Sequence, residues 1–149
     1  MKAIGIKMVE LTPMLAGAAQ FKGYKTNGHE GNDEGYEVTY PDGYKSWCPK
    51  DVADKAYFKL NENNDGSKID EADVDNFLKS HVTSTLGPKT TVVLATTVTG
   101  FDMVNASACV DPKNYSQELG EKYALETIKS NLWSYLGFVL QWAKNGLSK

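Results

Sequence analysis

The chain has 149 residues, of which 41% are hydrophobic and 23% are charged, and its formal net charge is −3. This balance is typical of a folded protein with one ordinary domain or two very small ones, and it excludes a disordered chain. All 16 basic residues are lysine. Without arginine or a long basic tract, the chain does not fit a protein that reads duplex DNA by sequence.

The composition also argues against a membrane or metal protein. No window approaches the ~18 consecutive apolar residues that a membrane span needs, and the N-terminus lacks the apolar stretch of a signal peptide. Cys48 and Cys109 are too few for a disulfide framework, and with His29 and His81 they do not show zinc-ligand spacing. We therefore expect a cytoplasmic protein with reduced thiols, no structural metal and no cofactor.

The N-terminal elements follow from local signals. Residues 2–10 alternate Ile4, Ile6 and Met8 on one face, which predicts a strand. Thr12 followed by Pro13 is a typical helix start, and Gly23 would end that helix. Residues 26–35 form a polar, glycine-rich loop.

An aromatic and lysine-rich segment comes next. Two strands flank a turn at residues 41–43, and Pro49 would open a short helix. Aromatic rings beside lysines can stack on a base while an ammonium meets a phosphate. The alternative is a small sheet that uses large aromatic residues to fill a thin core. The candidate ligand-binding residues here are Tyr36, Tyr40, Tyr44, Lys45, Ser46, Trp47 and Lys50.

Residues 61–73 resemble a calcium loop only superficially. With Gly66 at the sixth loop position, the twelfth is Ala72, where an EF-hand requires a bidentate glutamate. A helix capped by Asp70 is the better interpretation, with Val74 inside it. We expect this helix to continue to about His81, and residues 82–90 to form a linker between two modules.

The last third of the chain predicts a hairpin followed by a long helix. Residues 91–98 and 101–109 are β-rich runs that meet at a Thr99–Gly100 turn. The helix would begin near Ser116 and end near Asn145. It is apolar on most sides, which indicates a central core helix or a subunit interface. The candidate oligomer-interface residues are Leu132, Trp133, Tyr135, Leu136, Phe138, Val139 and Trp142.

No catalytic motif is present. The chain lacks a GxSxG elbow, HExxH, a P-loop, GxGxxG and CxxC, and its two histidines have no nucleophile or orienting group at a recognisable spacing. We therefore expect a binding protein and not an enzyme.

The C-terminal stretch resembles a family of small bacteriophage proteins typified by the gene 49 product of a podovirus and gene 66 of a Shigella phage. The shared strings are TTV, GF, SACVDP, an Asn–aromatic pair, ELG and an aliphatic–Trp pair, at residues 90–92, 100–101, 107–112, 114–115, 118–120 and 132–133. Ser134 stands where the family pattern has proline, which leaves a helix break there or at Gly137 open. The N-terminal GYEVTYPDGYKSWCPKDV run resembles a companion segment of such proteins, and its Asp42–Gly43 and Trp47 are similar in layout to a phage anti-defence sponge family that sequesters nucleotide signals.

Together these patterns predict an α+β protein with small antiparallel sheets, short helices and a C-terminal hairpin followed by a long helix. The expected modules are residues 1–81 and 91–149. Our leading hypothesis is a non-enzymatic phage accessory protein of the host cytoplasm that counters defence by sequestering a small anionic ligand such as a cyclic nucleotide. Ser107, Lys113 and Asn114 would add to the site. We expect a homo-oligomer. The alternatives are a module that inhibits a host protein and a virion or assembly component.

Overall fold

The computed structural model describes residues 1–148. Within them the elements are β1 (Glu10–Pro13), α1 (Ala16–Phe21), β2 (Gly35–Thr39), β3 (Lys45–Pro49), α2 (Lys50–Ala56), α3 (Glu71–Phe77), β4 (Leu78–Leu86), β5 (Thr90–Thr97), β6 (Asp102–Ala108), a 3₁₀ turn (Pro112–Asn114) and α4 (Gln117–Asn145). Over this part of the chain the strands form two antiparallel three-stranded sheets. The predicted α+β class is confirmed.

The chain divides into two compact units, which are described separately. Unit 1 comprises Met1–Lys59 and the end of the chain from Gln141, and unit 2 comprises Leu60–Leu140. The division therefore falls between Lys59 and Leu60, and not at residues 82–90.

Unit 1 is built on the sheet β1–β2–β3. A turn joins β2 and β3, with Gly43 at a φ of 85° and the Asp42 carboxylate accepting the Tyr44 amide hydrogen. In the register of this hairpin Glu37 lies opposite Trp47. The predicted strand–turn–strand is therefore present, and the short helix α2 follows Pro49 as expected.

In unit 1 the predicted first strand and the predicted start of the first helix are wrong, whereas that helix ends just before Gly23 as expected. Residues 2–9 carry no regular structure, and the first strand is β1, which includes Thr12 and Pro13. Pro13 lies opposite Tyr36 on an edge strand, where a residue without an N–H is tolerated. The helix starts only at Ala16. The Thr12–Pro13 pair has the sequence of a helix start, but both residues pair with β2 and are therefore part of a strand.

Unit 2 has the strand order β4–β5–β6, with α4 against one face. The buried residues of α4 recur every four positions, which is the spacing of a single helical stripe: Gly120, Ala124, Ile128, Leu132 and Leu136. This stripe meets Val93, Ala95 and Met103 of the sheet and Val74 of α3 in one core. α4 is continuous through Ser134 and Gly137, and Gly146 follows its end with a φ of 66°.

The predicted helix end and linker of unit 2 are also wrong. Asp70 caps α3 in a capping box with Asp73, as the sequence indicates, but α3 ends at Phe77. Residues 78–86 form β4, which pairs with β5 along its length, with Val82 opposite Leu94. β-Branched residues such as Val82 and Thr83 suit a strand, but this largely polar segment becomes one because β5 lies beside it, which its own sequence does not reveal.

Candidate ligand-binding site

The aromatic and lysine-rich segment alternates across the sheet of unit 1, so its side chains are divided between two faces. Tyr36, Tyr40 and Ser46 point to one face, whereas Lys45 and Trp47 point to the other, together with Glu37. The predicted residues therefore do not form one cluster.

Glu37 organises the face that it shares with Lys45 and Trp47. Its carboxylate accepts hydrogen bonds from the Tyr24 hydroxyl at 2.7 Å, from Lys22 Nζ at 3.1 Å and from Lys45 Nζ at 3.2 Å. The Tyr24 hydrogen bond, followed by those from the two lysines, lowers the pKa of Glu37 to about 2. Lys45 thus neutralises a buried carboxylate of the protein itself.

Trp47 on the same face is a packing residue. It is buried against Ala16 and Ala19 of α1, and its indole Nε1–H donates to the Met14 carbonyl at 2.8 Å. The ring of His29 meets the Trp47 ring edge-on, with the centroids 5.3 Å apart. For Trp47 the structure therefore agrees with the alternative that large aromatic residues fill a thin core.

The opposite face carries two tyrosines in contact with α2 and the residues after it. The Tyr36 hydroxyl accepts a hydrogen bond from Lys59 Nζ at 2.6 Å, and the same ammonium lies 4.6 Å from the Tyr36 ring centroid. Lys59 also pairs with Asp54, whose pKa it lowers. Burial, together with a hydrogen bond to Tyr40, raises the pKa of Tyr57 to about 12.

A pocket of about 340 Å³ lies beside these groups in unit 1. It is lined by residues 13–15, residues 34–36 and Lys50. The Lys50 ammonium is ion-paired with the Glu34 carboxylate, which raises the pKa of Lys50. Tyr36 and Lys50 are the two predicted residues that the structure brings to one cavity. Its volume lies within the range of small-molecule sites.

The other predicted residues of unit 1 lie apart from this lining. Tyr44 is exposed, with its ring centroid 5.8 Å from that of Tyr40. Lys7 Nζ lies 5.7 Å from the Tyr40 ring centroid. Ser46 is half-buried and lies opposite Val38.

The remaining three predicted ligand residues belong to unit 2. Ser107 lies in β6 opposite Thr91, on the face that α4 covers. Lys113 and Asn114 are exposed in the 3₁₀ turn, which the Asp111 carboxylate caps by accepting the Lys113 amide hydrogen. None of these three residues lines the pocket of unit 1.

The predicted interface residues of α4 fall into two groups. Leu132 and Leu136 are buried in the core of unit 2, so their assignment to an oligomer interface is wrong. Helical geometry places both on the stripe that faces the sheet. Trp133, Tyr135, Phe138 and Val139 are exposed, and Trp142 is half-buried.

The sequence interpretation missed Glu34 and Glu37. Neither belongs to a recognisable motif, since Glu34 precedes β2 and Glu37 is one polar residue within it. An available signal was the alternation of β2, which places Glu37 on the opposite face from Tyr36 and Val38.

Two further properties of residues 1–148 bear on function. None of their helices combines the length and the apolar character needed to cross a membrane. Within the same residues, no group of three or more His, Cys, Asp and Glu side chains is placed to hold a metal ion.

Comparison with known proteins gives one match. The sequence model of the family described as Phage protein (N4 Gp49/phage Sf6 gene 66) matches residues 69–143, just over half of the chain. Neither the curated proteins nor the solved structures contain a significant match. The matched region includes the capped helix α3, the sheet of unit 2 and nearly all of α4. The chain therefore belongs to the N4 Gp49/phage Sf6 gene 66 family of phage proteins.

Proposed function

We propose that this phage protein is a non-enzymatic accessory protein of the host cytoplasm that counters defence by sequestering a small anionic ligand, with a cyclic nucleotide as the candidate. The observation that supports a ligand is the pocket of about 340 Å³ in unit 1, which Lys50 and Tyr36 both line. These are the two groups that a nucleotide phosphate and base require.

An anion that binds in this pocket must compete with Glu34 for the Lys50 ammonium. In the free protein the Lys50 ammonium is ion-paired with the Glu34 carboxylate and not available to a phosphate. The Lys50 and Glu34 side chains expose 50% and 65% of their surface, and such an exposed ion pair contributes little stability. Each phosphodiester of a cyclic nucleotide carries one negative charge shared by two non-bridging oxygens, and it competes with the Glu34 carboxylate for the same ammonium.

Because the ligand and Glu34 compete for Lys50, substitutions of Glu34 and of Lys50 should change the affinity for the ligand in opposite directions. Isothermal titration calorimetry with a panel of cyclic di- and trinucleotides should detect binding to the wild-type protein. The Lys50→Gln variant should bind more weakly, whereas Glu34→Gln should bind more tightly because the competing carboxylate is gone. The matched control is Lys129→Gln, which breaks the ion pair between Lys129 and Asp75 in unit 2. Absence of heat with every nucleotide would contradict the proposal.

Native mass spectrometry of protein purified from phage-infected, defence-active cells tests the same proposal without choosing a ligand. Releasable extra mass, recovered chemically unchanged, supports sequestration without catalysis. A product of altered mass would show that the protein is an enzyme.

The exposed part of α4 favours a second candidate, a module that binds and inhibits a host protein. Trp133, Tyr135 and Phe138 are large aromatic residues that expose between 42% and 66% of their surface. Aromatic residues are enriched in protein interfaces, where they often supply most of the binding energy. Affinity purification from infected cells should then recover a stoichiometric host protein, and Phe138→Ser should lose it.

A further inference from the structure

The sheet of unit 2 has a second face that no part of unit 2 covers. The odd-numbered residues of its strands face α4: Thr83 donates a hydrogen bond to Glu121, and Val93 packs with Ile128 and Leu132. The even-numbered residues of β4, β5 and β6, from Ser80 to Ala108, therefore point away from α4. We call these twelve positions the outer face. None of them is buried.

The outer face does not have the composition of a solvated sheet surface. An antiparallel sheet covered on one side normally alternates apolar residues inward with polar residues outward. Here the row Val82–Leu94–Val104 crosses all three strands, and the first and last of these residues expose 67% and 64% of their surface. Among the twelve positions Asp102 is the single charged residue, although 23% of the chain is charged.

The arrangement resembles a small interface with an apolar centre and a polar end. The neighbouring row contains Val92 and Ala106, so the two central rows carry five aliphatic residues and one serine. Asp102 lies in the row at one end, where the Thr96 hydroxyl donates to its carboxylate. An apolar centre with a polar rim is the usual anatomy of a protein–protein contact.

We propose that the outer face is a self-association surface, on which a second copy of this chain packs sheet against sheet. The face has no lysine for a nucleic acid or acidic peptide, so its electrostatic complement is another neutral, apolar surface. A two-fold axis through the centre of the face supplies such a surface from the identical residues. An axis that runs across the strands also keeps the two Asp102 carboxylates at opposite ends.

The size of the face sets the strength of the dimer. Three strands spaced about 4.8 Å apart and about 25 Å long present roughly 400 Å² per copy. Stable complexes bury about 800 Å² per partner, so the contact forms a weak dimer with a dissociation constant on the order of micromolar or higher. This surface shares no residue with the pocket of unit 1, and the inference does not depend on a ligand.

Sedimentation equilibrium of the full chain over a range of concentrations up to about 1 mM tests the proposal. The wild type should show a monomer–dimer equilibrium. Leu94→Lys, in the middle of the outer face, should weaken dimerisation by roughly 10-fold or more, because a buried unpaired ammonium is costly. Two controls, Val110→Lys outside the sheet and Phe138→Lys on α4, should dimerise like the wild type.

A mixing experiment separates a lost contact from a misfolded variant. At a concentration between the dissociation constant of the wild type and the higher ones of the variants, Leu94→Lys and Leu94→Glu should each be mostly monomeric, because like charges meet across the two-fold axis. An equimolar mixture should recover a heterodimer, since the lysine and the glutamate can pair. A wild type that is monomeric at every concentration overturns the proposal. It is also overturned if Leu94→Lys dimerises normally, if Phe138→Lys removes the dimer, or if the mixture stays monomeric.

Discussion

Gly120 of α4 lies so close to Thr91 of β5 that a Cβ atom placed on Gly120 would stand 2.6 Å from the Thr91 Cβ. Both residues are buried. The helix approaches the sheet at this point because glycine has no side chain. Gly137, in the same helix, has no other atom within 4 Å of the corresponding position. Substitutions at these two glycines therefore distinguish the effect of close packing from the effect of helix propensity.

Gly120→Ala is expected to destabilise the protein by about 1–3 kcal/mol, because the added methyl overpacks against Thr91. Gly137→Ala should instead stabilise it by about 0.5–1 kcal/mol, since alanine is the better helix former and space is available. Urea unfolding followed by circular dichroism measures both free energies. Equal effects at the two positions would show that α4 does not approach Thr91 as described.

The carboxylate of Asp73 is buried and holds the segment before α3 in place. It accepts hydrogen bonds from the backbone N–H groups of Asn61 and Asp70 and from the Asn64 side-chain amide. Asp73→Ala leaves these donors without their acceptor and should lower the free energy of unfolding by about 3 kcal/mol. Thermal unfolding by circular dichroism provides the measurement.

The matched control for Asp73 is two residues further along the same helix. Asp75 is exposed and forms an ion pair with Lys129 at 2.6 Å. Asp75→Ala should therefore cost less than about 1 kcal/mol. A similar loss of stability for both variants would mean that burial of the Asp73 carboxylate contributes nothing.

Glu37 is expected to make stability depend on acid pH. Its pKa falls from 4.5 to about 2 in the folded protein, primarily through the Tyr24 hydrogen bond. The carboxylate therefore stabilises the fold fully above pH 4.5, and this contribution is lost as the pH falls toward 2, where the carboxyl group becomes protonated in both states. Glu37→Gln should lower stability at neutral pH, with a difference from the wild type that shrinks on acidification.

Chemical denaturation between about pH 3 and pH 7 measures this difference. Glu62→Gln, at an exposed position, serves as the control and should follow the wild-type curve. A constant difference between Glu37→Gln and the wild type across this range would contradict the lowered pKa of Glu37.

Trp47 is expected to contribute to stability and not directly to ligand contact. Trp47→Phe removes the donor to the Met14 carbonyl and part of a buried ring, so it should cost about 2 kcal/mol. Trp133→Phe removes an exposed indole and should change stability by less than about 0.5 kcal/mol. Thermal unfolding compares the two. If Trp47→Phe leaves stability unchanged, Trp47 is not the packing residue described here.

Local sequence signals determined several elements of this protein correctly. Gly43 and Asp42 specify the turn between β2 and β3, and Asp70 specifies the start of α3, because each acts on backbone groups within a few residues. The hairpin of β5 and β6 and the long helix α4 also follow from their own residues, since β-branched runs and helical periodicity are local patterns.

Only the tertiary structure decided that residues 82–86 are part of a strand and that Lys45 and Lys50 are paired with carboxylates. Residues 82–86 become a strand because β5 supplies hydrogen-bond partners, which a polar segment does not reveal by itself. Lys45 and Lys50 are held by Glu37 and Glu34, which lie 8 and 16 residues away in sequence. Such pairings depend on strand register and loop placement. The sequence therefore determined where the two lysines stand along the chain, whereas the fold determined which carboxylates pair with them.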